Sequence, residues 1–137
     1  MADLRKLIID DIEVKVDPAM TLLQACEVAG IPAGRILIDP GFGFGKTFDH
    51  NRQLFQALPR LCGHGYKVLV GVSRKRMLEE ITGRPLEERQ SASVAAALLA
   101  ALAGAAMVRV HDVAETVDAL RVARVLFSNE TLARCNG

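Results

Sequence analysis

Polar residues follow three apolar runs of the sequence, and their types suit the binding of a heterocycle and an anion. Asp39 ends the first run, Ser73 and Lys75 follow the second, and Arg109 and His111 follow the third. A carboxylate can accept paired N–H donors from a ring, whereas Arg, Lys and His donate to oxyanions. Arg109 and His111 alternate along an extended run, so their side chains point the same way. Together with Lys75 they predict a phosphate or pyrophosphate site.

Each of these features also has a structural interpretation. Asp39 would otherwise cap the loop that follows it, and Arg74-Lys75-Arg76 would otherwise be a solvated basic turn. Three cations at a helix start oppose the helix dipole, which favours negative charge there. A ligand would explain that arrangement, so the binding interpretation is favoured.

The loop Pro40–Thr47 contains Gly41, Gly43 and Gly45 and ends in Gly-Lys-Thr. A phosphate-binding P-loop needs glycine where this chain has Pro40, and the dinucleotide fingerprint has a different glycine spacing. Nucleotide hydrolysis and dinucleotide binding are therefore not predicted. Phe42 and Phe44 alternate with the glycines and would form a flat apolar wall.

Strands and helices alternate from residue 35 onward, which favours an α/β fold with a parallel sheet. The predicted elements are a strand over 35–39, a helix over 49–62, a strand over 67–72, a short helix to residue 81, an alanine-rich helix over 87–103, a strand over 107–110 and a helix over 114–127. In such folds ligands bind at the carboxyl ends of the strands. All three polar sets lie at those ends.

The front of the chain has a different pattern. Two short β-rich runs, Lys6–Ile9 and Ile12–Val16, flank Asp10-Asp11 and predict a hairpin. Thr21 stands three residues before a glutamine, the spacing of a capping box, and opens a helix that Gly30 ends.

Composition limits the classes of partner. The 137 residues are 50% hydrophobic with a formal net charge of +1, which predicts a globular core and gives no reason to expect nucleic acid or a membrane as partner. Cys26, Cys62 and Cys135 have neither metal-site nor redox spacing, so reduced thiols and no metal site are expected. These features predict a cytoplasmic protein.

Three segments together resemble the late-barrel signatures of the dihydropteroate synthase family. They are Ile38-Asp-Pro-Gly-Phe-Gly-Phe-Gly-Lys46, Gly71-Val-Ser-Arg-Lys75 and Arg109-Val-His-Asp-Val113, in the family's order. The resemblance covers about residues 35–126. It implies a partial TIM barrel made of the last three β/α units with parallel strands, preceded here by a short β-hairpin plus helix.

The resemblance also implies an activity, the condensation of a pterin methyl pyrophosphate with para-aminobenzoate in folate biosynthesis. Lys75, Arg109 and His111 would be catalytic. By the same resemblance, Asp39 and Lys75 would hydrogen-bond the pterin ring, and Phe44 and Gly71 would line its slot. Ser73 would lie beside the aminobenzoate carboxylate. Arg109 and His111 would bind the pyrophosphate.

The sequence departs from the family in its first half. The early signature loops, which supply the ligand of the Mg²⁺ expected in the full family, have no counterpart, so no cofactor is assigned to this chain. Three barrel strands would leave two open edges. A truncated synthase with doubtful stand-alone activity is expected. The alternative is a non-catalytic α/β binding or assembly fragment, and the late helices would pair copies into a homo-oligomer.

Residues 4–32 resemble the start of the ferredoxin-like domain in the large iron–sulfur subunit of NADH dehydrogenase. The matching stretches are Val16-Asp-Pro, Thr21-Leu-Leu-Gln-Ala-Cys-Glu27 and Gly30-Ile-Pro32. The expected domains are therefore a truncated ferredoxin-like segment over 1–32 and a pterin-binding barrel part over 33–137. The chain would be a chimera of the two.

Overall fold

The computed structural model describes residues 4–127. The chain divides into two compact units, Met1–Ile36 and Leu37–Gly137, and each is described by itself. Cys135 lies outside the described residues, whereas Cys26 and Cys62 are free thiols.

The first unit is a hairpin followed by a helix. Strand β1 (Arg5–Ile9) pairs antiparallel with β2 (Ile12–Val16). Asp10 and Asp11 have φ of 52° and 61°, the left-handed geometry of a tight hairpin turn that Asp tolerates better than most residues. The predicted hairpin is confirmed.

Helix α1 (Leu22–Val28) begins at the predicted capping box. The amide of Gln24 donates to Thr21 Oγ1 at 3.3 Å, and the amide of Thr21 donates to Gln24 Oε1 at 2.8 Å. Gly30, with φ of 74°, follows the helix end as predicted. Small apolar residues of the hairpin and the helix form this unit's core, namely Val14, Val16, Ala25 and Ala29.

The second unit contains a three-stranded parallel sheet. Strands β3 (Leu37–Ile38), β4 (Lys67–Val70) and β5 (Met107–Val108) lie in that order, with β4 in the centre. The helices of this unit are α2 (Phe48–Gln56), α3 (Leu58–Cys62), α4 (Arg76–Thr82), α5 (Gln90–Leu102) and α6 (Val113–Leu126). The α/β alternation and the parallel sheet are confirmed.

The core of the second unit lies between the central strand and the helices. Val68 and Val70 on β4 are each only 1% exposed. On α5 a stripe of small residues faces inward, namely Ser93, Ala96, Ala97 and Ala100. This spacing of three and four residues is the helical period, and small side chains allow α5 to approach closely.

Some predicted boundaries were wrong. The strand expected over 35–39 is only two residues long, because Ala33–Arg35 forms a 3-10 turn and Asp39 already belongs to the loop. The helix expected over 49–62 breaks at Ala57. Pro59 lacks an N–H and therefore stands in the first turn of a new helix, α3, instead of continuing α2. The alanine-rich helix starts at Gln90, after a 3-10 turn over Leu86–Glu88.

Among residues 4–127, none of the helices has the length and apolar character needed to cross a membrane.

Candidate functional site

The carboxyl ends of the three parallel strands bring the predicted site residues together. Gly71, Ser73, Lys75, Arg109 and His111 line one cavity of about 130 Å³. Both segments that follow the central and last strands therefore contribute to the same recess, as expected for a parallel sheet.

The remaining two predicted residues border this recess. Asp39, after the first strand, places Oδ2 at 3.5 Å from Arg109 Nη2. Phe44, the second of them, places the centroid of its ring 5.0 Å from Lys75 Nζ. All seven predicted residues thus lie in or beside one recess, although they come from three separate stretches of sequence.

Arg109 reaches Asp39 by crossing over Gly71 on the central strand. A Cβ built on Gly71 would lie 2.7 Å from Arg109 Nη2 and 3.1 Å from Nε. Gly71 is therefore required for space. The amide of Arg109 donates to Val70 O at 2.9 Å, which continues the sheet ladder and fixes where the guanidinium begins.

Ser73 and His111 join the two neighbouring segments through a pair of hydrogen bonds. The amide of His111 donates to Ser73 Oγ at 3.2 Å, and the same oxygen lies 2.9 Å from His111 Nδ1. A hydroxyl can accept from the amide while donating its own proton to Nδ1. When Ser73 is the donor in this pair, the proton of a neutral His111 is on Nε2, where it can be donated to an anion.

Lys75 is held against the glycine-rich loop. Its Nζ donates to Phe42 O at 2.5 Å, and its Cδ lies 3.3 Å from the position of a Cβ on Gly43. Burial lowers the pKa of Lys75 below its usual value, and the nearby cations Arg109 and Lys46 lower it further, against the opposing effect of Asp39. An anion at this site would relieve the repulsion among these cations.

The glycine-rich loop is fixed by two side chains. Asn51, which is 4% exposed, accepts from the amide of Gly43 at 2.8 Å and donates to Thr47 O at 3.0 Å. Lys46 Nζ donates to Gly41 O at 2.8 Å and to Phe44 O at 3.2 Å. Lys46 thus stabilises the loop itself.

The sequence reasoning did not single out Asn51. It stands three residues before Leu54 and four before Phe55, on the apolar face that was predicted for this helix. A polar residue on a buried face must find partners for its donors and acceptor. Its helical spacing was therefore the signal that a loop-binding residue was present.

The expectation of a wall made of two phenylalanines was wrong for Phe42. This side chain is fully buried and packs against Phe55, with ring centroids 5.8 Å apart. Phe44 is 70% exposed beside Lys75. The alternation of the loop sends one ring into the core, because the helix behind the loop offers an apolar surface there.

The basic turn separates into three differently placed cations. Lys75 enters the recess, Arg76 pairs with Glu80 at 3.3 Å on the surface, and Arg74 pairs with Asp112. Arg74 Nη2 lies 2.7 Å from Asp112 Oδ1, and Nε lies 3.3 Å from Oδ2. The hydrogen bond from Arg74 holds the pKa of Asp112 below its usual value, so this carboxylate stays charged.

The described residues do not present a metal site. Within 4–127, groups of three or more His, Cys, Asp or Glu side chains arranged to hold an ion are absent. No chemical step is assigned to a metal.

Comparison with known proteins places the chain in a family. The profile of the pterin binding enzymes matches residues 7–111, about three-quarters of the sequence. The chain belongs to the pterin binding enzyme family. The match begins inside the first hairpin, so it also includes the front segment.

Curated relatives of the chain include dihydropteroate synthases. The synthase of Escherichia coli K12 is 46% identical over 106 residues, which are 77% of this chain and 38% of the relative. That of Neisseria meningitidis serogroup C is 51% identical over 106 residues, again 38% of the relative. The chain thus spans about two-fifths of the length of these relatives.

Solved structures agree with the sequence comparison. The dihydropteroate synthase of Xanthomonas albilineans with 4-aminobenzoic acid superposes with a TM-score of 0.73 at 57% identity, covering 76% of this chain and 38% of that one. The Yersinia pestis enzyme gives a TM-score of 0.71 at 44% identity, covering 75% of this chain and 49% of that one. The α/β fold of the chain is therefore that of the matching part of the synthases.

Proposed function

We propose that the chain contributes one wall of a dihydropteroate synthase site, at which a pterin methyl pyrophosphate condenses with para-aminobenzoate. The observation that carries the proposal is the meeting of Asp39, Lys75, Arg109 and His111 at one rim in a member of the pterin binding family. One solved neighbour is a complex with 7,8-dihydropteroate, the expected product.

The rim supplies groups for each part of the substrates. Asp39 and Lys75 hydrogen-bond the pterin ring, and Phe44 and Gly71 line its slot. A flat slot is supported by the exposed ring of Phe44 and by the planar Arg109 guanidinium that lies over Gly71. Ser73 lies beside the aminobenzoate carboxylate.

Arg109 and His111 hold the pyrophosphate. In the reaction, the arylamine nitrogen forms a bond to the pterin methylene carbon as the bond from that carbon to the pyrophosphate oxygen breaks. The amine then gives up a proton to water, and the pyrophosphate departs as an anion. The Arg109 guanidinium and the Nε2 proton of His111 stabilise the negative charge that develops on that oxygen.

The three parallel strands correspond, in this proposal, to the last three strands of a TIM barrel, and residues 33–137 form the barrel part. Their order β3-β4-β5 and the position of the polar residues at the carboxyl ends support this assignment. The share of the relatives that the chain spans, 38%, favours an incomplete site and keeps a non-catalytic binding or assembly fragment as the second candidate.

We further propose that residues 1–32 derive from the ferredoxin-like segment of an NADH dehydrogenase iron–sulfur subunit. The hairpin and the capped helix α1 support this origin. No cluster ligand is assigned, because Cys26 is the single cysteine of that stretch of sequence.

Copies of the chain would associate through the late helices. An apolar groove of about 320 Å³ lies among α2, α4 and α5, and its rim includes Ile81 and Leu99, which are 60% and 56% exposed. A second copy that packed there would remove these side chains from water.

Calorimetry of the full chain with pterin methyl pyrophosphate tests the site directly. Binding is expected, and Lys75→Ala or Asp39→Ala should weaken it at least tenfold, since each removes a direct partner of the ring. Lys67→Ala, on the exposed start of β4, is the matched control and should leave binding unchanged. Equal binding by the wild type and both site variants would show that the pocket is elsewhere.

A condensation assay with para-aminobenzoate separates the two candidate functions. Formation of dihydropteroate by the purified chain would support a transferase. Pterin binding with no product would support the non-catalytic fragment.

A further inference from the structure

Arg74 adopts a backbone conformation that arginine rarely takes. Its φ of 57° lies in the left-handed region, where a side chain brings Cβ too close to the carbonyl oxygen. Such a residue persists when its surroundings fix it more strongly than the strain disfavours it. The turn between β4 and α4 must therefore be held by specific contacts.

Both polar atoms of the Arg74 backbone form hydrogen bonds with side chains. Its amide donates to Ser93 Oγ at 2.8 Å, and its carbonyl oxygen accepts from Arg89 Nη1 at 3.0 Å. Ser93 and Arg89 are 2% and 7% exposed. They are also bonded to each other, since Ser93 Oγ donates to Arg89 O at 2.6 Å. The start of α5 thus holds the turn in place.

The Arg74 side chain extends this network to Asp112, in the segment that follows β5. It forms the two hydrogen bonds to Asp112, whose side chain is 7% exposed. Asp112 also accepts from Gln90 Nε2 at 3.4 Å. The ion pair therefore ties the segment after β4 to the segment after β5.

The members of this network lie next to residues that line the recess. Arg74 stands between Ser73 and Lys75, and Asp112 directly follows His111. The residues that line the rim recess include neither Arg74 nor Asp112. The ion pair joins the two rim segments from outside the recess, so it can set the spacing of groups that it does not replace.

We propose that Arg74, Arg89, Ser93 and Asp112 form a clamp of positioning residues. The clamp holds Ser73, Lys75 and His111 at the spacing that the ligand requires, and ligand affinity depends on it although its members lie outside the recess. The identity of the ligand, a pterin pyrophosphate, rests on the function proposed above. The clamp itself rests on the geometry of the free chain.

Arg74→Gly is the variant that isolates the ion pair. Glycine takes a φ of 57° without strain and keeps the backbone bonds to Ser93 and Arg89, while the link to Asp112 is lost. Arg84→Ala is the matched control. It removes one arginine side chain and one surface ion pair, the 2.8 Å contact with Glu88, and keeps the Arg84 carbonyl oxygen that accepts from Arg89 Nε.

Dissociation constants for inorganic pyrophosphate and for pterin methyl pyrophosphate are measured on the full chain, at a temperature where all variants are folded. Arg74→Gly is expected to raise both at least tenfold, and Arg84→Ala is expected to leave both within twofold. Asp112→Asn should resemble Arg74→Gly. The double variant should bind no more weakly than either single one, because both remove the same link. Additive losses would overturn the clamp.

The nitrogen-15 signals of the His111 ring provide a readout that needs no ligand. In the wild type Nδ1 accepts from Ser73, and Arg74→Gly should shift this signal while Arg84→Ala does not. If the wild type binds neither ligand, the proposed function fails, and this shift still supports the clamp. Unchanged His111 signals in Arg74→Gly would overturn the clamp whatever the chain binds.

Discussion

At the scale of single residues, Gly71 and Arg109 act as a pair. The guanidinium lies where a Gly71 side chain would be, and so it extends across the central strand toward Asp39. The atoms that a Cβ would displace belong to the far end of a flexible side chain. The backbone of Gly71 has no positive φ that would make another residue costly.

Gly71→Ala is therefore expected to move Arg109 without unfolding the chain. The free energy of unfolding should change by no more than about 1 kcal/mol, because alanine fits the backbone and the arginine can rotate away. Pyrophosphate affinity should fall at least tenfold. Gly34→Ala, where a Cβ would meet nothing within 4 Å, is the control. Titration calorimetry and urea unfolding measure the two effects, and unchanged affinity would show that Arg109 does not bind the anion.

The lowered pKa of Lys75 leads to a pH dependence. Its cation is present below the folded-state pKa and is lost as the pH rises through it, so anion binding should weaken at a lower pH than the roughly 10.4 of an ordinary lysine implies. Between the folded and unfolded pKa values the unfolded chain holds more protons, and stability therefore rises with pH in that window.

Pyrophosphate titrations across the alkaline range check this prediction. Lys75→Arg is the control, because arginine keeps its charge throughout and should abolish the early loss of binding. The same pH profile in both proteins would mean that another group causes the loss.

At the scale of elements, α2 and the glycine-rich loop depend on one buried amide. Asn51 satisfies Gly43 and Thr47 at once. Asn51→Ala removes the acceptor of the Gly43 amide, whereas Thr47 O keeps the backbone amide of residue 51 as a donor. The free energy of unfolding should therefore fall by about 1 kcal/mol.

Gln53→Ala, an exposed position on the same helix, should change stability by less than about 0.5 kcal/mol. Urea unfolding compares the two variants. Similar stabilities would show that water or other groups replace the Asn51 bonds.

The sequence correctly predicted those structural features that residues adjacent in the chain determine. The Asp10-Asp11 turn and the Thr21 capping box follow from neighbouring residues, and both were predicted correctly. The parallel order of the strands followed from their alternation with helices.

Tertiary packing decided what the sequence reasoning missed. Phe42 and Phe44 have the same local pattern, and only the surface of α2 behind the loop sends one of them inward. Arg74 and Lys75 are neighbours in a basic run, and only the position of Asp112 on a distant segment separates their roles. Residue types therefore located the rim, whereas contacts distant in sequence assigned the individual side chains.

At the scale of the whole molecule, the second unit exposes apolar surface that a partner would cover. Leu37 on β3 and Met107 on β5 are 42% and 48% exposed at the two edges of the sheet. Exposed strand edges favour pairing with other chains. The groove among α2, α4 and α5 adds a further apolar area on the helical side.

Association through that groove can be tested by placing a charge in it. The wild-type chain is expected to be a homo-oligomer in analytical ultracentrifugation, and Leu99→Lys or Ile81→Lys should shift it to monomer, because burying an unpaired ammonium group opposes the packing. Val28→Lys on α1 is the matched control, since this valine is 56% exposed, as Leu99 is, and lies outside the late helices. If the groove variants sediment as the wild type does, copies associate through another surface, such as the edges of the sheet. Met107→Lys would then be the variant that produces the monomer.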